Sequence, residues 1–115
     1  MDKLISKLAS LGIPSLILIV AIDASGYVGA AAITTALAAL GPGGMIGGIL
    51  FLGVIGVLVS SLTDHGVELI FTKVITQLII NGETLDDIEK KIKSYPISKE
   101  LKLKLNELIK TIKSN

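Results

Sequence analysis

Residues 8–63 read LASLGIPSLILIVAIDASGYVGAAAITTALAALGPGGMIGGILFLGVIGVLVSSLT, and in these 56 positions Asp23 is the one carboxylate, with no Lys, Arg or His. The next stretch, 64–115, is 52 residues long and holds eight acids and nine lysines. Desolvating a charge is costly, so ionisable groups concentrate where water is. A half-chain with a single charge has little to present to water. The two halves therefore suit different solvents: 1–63 reads as a hydrophobic, membrane-inserting region and 64–115 as an amphipathic, charged helical region.

The composition narrows the function classes. The chain has 115 residues, the length of one domain. Its mean hydropathy is +0.74. The charged fraction, 18%, lies below the roughly 25% usual for a soluble domain. Eleven lysines, no arginine and ten acids give a net charge of +1, which excludes a strongly basic nucleic-acid binder. The absence of cysteine removes a disulfide framework, a thiolate zinc site and a thiol nucleophile. One histidine and no tryptophan leave little for catalysis, so the chain is expected to be no enzyme and to need no cofactor.

Turn signals divide the apolar half. The first run is 8–22, with Gly12 and Pro14 near its start; Asp23-Ala24-Ser25-Gly26 interrupts it. The second is 27–40, mostly alanine, and Gly41-Pro42-Gly43-Gly44 stops it. The third is 45–62. Alanine favours helix and disfavours strand. A transmembrane barrel needs at least about eight strands, too many for this chain. The expected fold is thus all-α. Two or three Gly/Ala-rich, membrane-type helices form one or two hairpins, turning at Gly41, Pro42 and Gly43; an amphipathic helix and a small charged helical hairpin follow. Crossing a bilayer takes roughly 20 residues, with about 17 as a lower limit. The runs are short by that measure, and the hairpin is placed at 24–63, with 8–22 left open.

Glycine within a helix costs about 1 kcal/mol relative to alanine in water. In membranes, close approach of helices through small residues at every fourth position compensates for it. Gly43/Gly47, Gly44/Gly48 and Gly56/Ser60 have that spacing, and Gly26, Ala30, Thr34 and Ala38 lie on one stripe. Packing within the hairpin uses some of this surface. The expected surplus, for self-association, comprises Gly29, Ala30, Thr34, Ala38, Gly44, Gly47, Gly48, Gly53, Gly56 and Ser60.

In the second half, 65–81 has an apolar face of Val67, Ile70, Phe71, Val74 and Leu78, stopped by Asn81-Gly82. Thr84 with Asp87 resembles a capping box, and Ser98 can cap a last helix. Leu85, Ile88 and Ile92, with Leu101, Leu105 and Leu108, offer a C-terminal interaction surface to a protein partner. The lysines outside that seam suit an anionic leaflet. Lys-rich flanks stay cytoplasmic, which assigns the C-terminal half to the cytoplasm. Asp23 would then lie at the inner membrane surface, as a cap or turn residue.

Weaker motifs complete the reading. Residues 1–25 have the outline of a signal peptide, but Asp23 stands where small residues are wanted. Asp64-His65 with Glu68 has helical spacing for a metal, yet more simply marks a helix start. Gly41-Pro42-Gly43-Gly44 lacks the Lys-Ser/Thr of a phosphate loop.

The stretch from Gly29 to Leu40, followed by Gly41-Pro42-Gly43-Gly44-Met45, resembles small Gly/Ala-rich membrane-hairpin proteins such as the interferon-inducible 6-16 family. The likeness covers about residues 26–60, carries over no functional residue, and implies association with organelle membranes and a role in cell death. The uncharged hairpin also resembles that of pore-forming colicins, here without a thick helical shell. Together these readings point to a small oligomerising membrane protein that inserts a hairpin and permeabilises the bilayer, with the lipid bilayer and its own copies as partners. The alternatives are a non-lytic membrane adaptor, immunity or regulatory subunit acting through 84–115, and a soluble helical oligomer.

Overall fold

A computed structural model describes residues 1–26, 38 and 44–114, with side chains from 53 onward in the second segment. The helices are α1 (Asp2–Leu11), α2 (Ile13–Ser25), α3 (Gly44–Asp64), α4 (Val67–Ile80), α5 (Leu85–Ser94) and α6 (Lys99–Ser114). No strand occurs among the described residues. The expected all-α class holds. The second apolar run and the turn residues Gly41, Pro42 and Gly43 lie outside the described residues.

The first apolar run is two helices. Apolar residues at 4, 5, 8 and 9 give α1 one inner face, where Leu4, Ile5, Leu8 and Ala9 are buried. Gly12 then takes φ +77° and ψ −151°, a backbone region essentially reserved for glycine. The chain bends by 115° between α1 and α2. Pro14 follows in the first turn of α2, where a missing N–H costs nothing. The buried Ser15 hydroxyl donates to the Gly12 carbonyl at 2.7 Å, so its polarity is satisfied within the bend.

Helix α2 is the centre of the fold. Ile13 and every residue from Ser15 to Ile22 are buried, and α2 touches all five other helices. A helix that is apolar all round has to be enclosed; here protein encloses it. Burying one Leu or Ile side chain contributes about 1.5–3 kcal/mol, so Leu16, Ile17, Leu18 and Ile19, all fully buried, contribute strongly to the core. One hydrophobic cluster joins them to Ile55 and Leu58 of α3, Phe71 and Val74 of α4, Ile88 and Ile92 of α5, and Leu105 and Ile109 of α6. The core therefore draws on both sides of the 63/64 boundary.

Among the described residues no single helix is long and apolar enough to cross a membrane. The α1–α2 pair meets the requirement only when taken together, across its bend.

The outer helices are delimited by local chemistry. Helix α4 buries Ile70, Phe71, Val74, Ile75 and Leu78, close to the expected face. It ends in a Schellman motif: the Gly82 N–H donates to the Ile79 carbonyl and the Glu83 N–H to that of Leu78, both at 3.0 Å. Gly82 has φ +108°, which the motif requires at that position. The Thr84 hydroxyl accepts from the Asp87 N–H at 3.1 Å and opens α5. Tyr95, ahead of Pro96, is extended, as a residue before proline prefers. The Ser98 hydroxyl then accepts from the Leu101 N–H at 3.2 Å to start α6.

Two local expectations need correction. Asp64 ends α3 instead of starting the next helix; the His65 N–H donates to the Ser61 carbonyl at 2.8 Å, and α4 begins only after the extended Gly66. Asp23 lies within the last turn of α2, not in a turn after it, and Gly26 in the left-handed conformation ends that helix.

Candidate functional site

Gly44, Gly47 and Gly48 lie on the first turns of α3. Gly53, Gly56 and Ser60 lie further along it and are exposed. A Cβ added at Gly53 or Gly56 would meet nothing within 4 Å, so neither glycine is used for close packing among the described residues. Val57 lies beside them and is 53% exposed. The opposite side of α3 buries Val54, Ile55 and Leu58 in the core. From Gly53 to Ser60, α3 thus has one face spent on the fold and one open face of small and apolar residues. Ala38 is helical and exposed; Gly29, Ala30 and Thr34 lie outside the described residues.

Beside the open face runs α1. Lys3, Leu4 and Lys7 with Gly53, Val54 and Val57 line a shallow groove of about 180 Å³. Both lysines are exposed, and among the described residues no carboxylate lines the groove. Asp2 faces another depression, with Lys73 and Thr76.

The six C-terminal residues expected to meet a partner lie inward. Ile88, Ile92, Leu101 and Leu105 are buried, and Leu85 and Leu108 pack partly buried against the same core. Helices α5 and α6 both lie against α2. In this fold their seam faces the core. Ile109, missed in the sequence, belongs to it: it is 1% exposed, at i+4 from Leu105 and i+8 from Leu101. Leu108 and Ile112 pack partly buried against the same cluster. The i, i+4, i+8 spacing was the signal that could have found Ile109.

The outward side of this hairpin is charged and partly paired. Glu83 accepts from Lys91 at 2.7 Å, Lys113 pairs with Glu89 across α5 and α6, and the Lys102 ammonium donates to the Lys93 carbonyl at 2.7 Å. The hydrogen bond to Glu89 holds the Lys113 ammonium above its ordinary pKa of 10.5; the charges of Glu89 and Asp86 add to this against some desolvation. Among the described residues no cluster of three or more His, Asp or Glu side chains forms a metal-ligating group, and His65 is exposed beyond the end of α3.

No protein-family model, curated protein or solved structure matches the chain. The functional reading therefore rests on its own residues.

Proposed function

We propose that the chain is a small, non-enzymatic membrane-active protein: a hairpin within 24–63 inserts, self-associates through small-residue faces and permeabilises the bilayer. The observation that carries this reading is a division of labour in the apolar half. Helix α2 is consumed by the core, whereas 27–63 contains no Asp, Glu, Lys, Arg or His, and α3 leaves Gly53, Gly56 and Val57 open. The inserting segment is thus the part of 1–63 that lies beyond α2. On insertion Val54, Ile55 and Leu58 of α3 leave the core they share with the other helices, and α1, α2, α4, α5 and α6 stay outside the hydrocarbon.

Crossing the ~30 Å hydrocarbon core takes about 20 residues. The described apolar part of α3, Gly53–Asp64, is too short to cross without the preceding turns. Chemistry supports the reading. Open glycines in a helix are a cost in water and a contact surface in lipid.

Dye release from liposomes tests the function. The reading predicts leakage that rises steeply with protein density. Intact vesicles at every lipid composition, with the protein stably inserted, would replace permeabilisation by a non-lytic membrane role.

A further inference from the structure

We infer that the groove between α1 and α3 is the face by which the protein first settles on an anionic bilayer, with Lys3 and Lys7 against lipid headgroups and Val57 against the acyl boundary. This rests on the membrane-active reading and specifies the surface and lipid charge it uses.

Three observations combine. Lys3 and Lys7 are one helical turn apart on the exposed side of α1, and among the described residues their groove is lined by no carboxylate. Neither lysine has an ion-pair partner among the described residues, in contrast to Lys91 and Lys113. The apolar wall beside them, Gly53 and Val57, lies on the same helix as the uncharged stretch that enters the membrane. An exposed apolar strip edged by unpaired cations matches the headgroup–acyl boundary of an anionic leaflet. The C-terminal hairpin has more lysines, but acids are interspersed among them and two of its lysines are already paired. Its apolar seam faces α2. Its exposed apolar side chain, Leu103, stands among charges of both signs and not on the helix that continues into the uncharged stretch.

The test is partitioning of the full chain into phosphatidylcholine vesicles with and without phosphatidylglycerol. The variants are K3Q/K7Q and the charge-matched control K104Q/K110Q, both at exposed positions, with circular dichroism to verify that each is folded. A lysine near an anionic surface contributes about fivefold, so K3Q/K7Q is expected to lose roughly 30-fold on the anionic vesicles and to change little on neutral ones. The control should lose far less, and excess inorganic phosphate should not displace the wild type beyond the effect of equal ionic strength. Equal losses in the two variants, or specific displacement by phosphate, would overturn this docking face while leaving insertion standing. A wild-type chain that binds neither vesicle would overturn the membrane reading and this inference with it.

Discussion

Replacing Leu105 by alanine separates a core role for the C-terminal hairpin from a partner-binding one. Leu105 is fully buried on α6, in the cluster that holds α2. Leu103, two residues away on the same helix, is 59% exposed. A buried Leu→Ala change costs about 2–5 kcal/mol. With an unfolding entropy of about 2.1 cal/mol/K per residue, a 115-residue chain carries about 0.24 kcal/mol/K. A mid-range loss of ~3 kcal/mol then lowers the melting temperature by about 12 °C. Leu103→Ala stays within about 0.5 kcal/mol, or ~2 °C. Thermal unfolding followed by far-UV circular dichroism reads both variants in one buffer. Equal, small shifts would refute the packing of α6 on α2 and return Leu105 to the role of a partner contact.

Other substitutions probe single features. Gly12→Ala should destabilise by about 1–3 kcal/mol in the same melt; its nearest neighbour is Pro14 Cδ, 3.9 Å from an added Cβ, so the cost is conformational. Thr84→Ala should cost about 1 kcal/mol through loss of the α5 cap, with Thr84→Ser close to neutral. Gly56→Leu has open space around it and should leave the melting temperature nearly unchanged while reducing self-association in liposomes, measured by energy transfer between labelled copies.

Much of the helical plan was legible because it rests on short-range chemistry. The stop at Asn81-Gly82, the caps at Thr84 and Ser98 and the inner face of α4 each depend on residues within one or two turns of each other. The placement of α2 was not legible. An all-apolar helix has the same sequence whether lipid or protein surrounds it, and the enclosing faces come from residues far away in the chain, such as Phe71, Ile92 and Leu105. Starting the first apolar run at residue 8 concealed α1, whose inner face needs Leu4 and Ile5 together with Leu8 and Ala9. The C-terminal seam was found largely as an apolar stripe, but a stripe does not say what it covers. Of the candidate self-association surface, Gly53, Gly56 and Ser60 are exposed on α3; small-residue spacing alone does not say what covers such a face.

The central claim is that the uncharged stretch enters lipid while the helical body stays in water. The chain lacks cysteine, so Leu50→Cys and Lys110→Cys each provide a single labelling site for a fluorophore. Vesicles with nitroxide-bearing acyl chains report which label reaches hydrocarbon. The account predicts strong quenching at position 50 and little at 110; an unquenched label at 50 on vesicle-bound protein would contradict it.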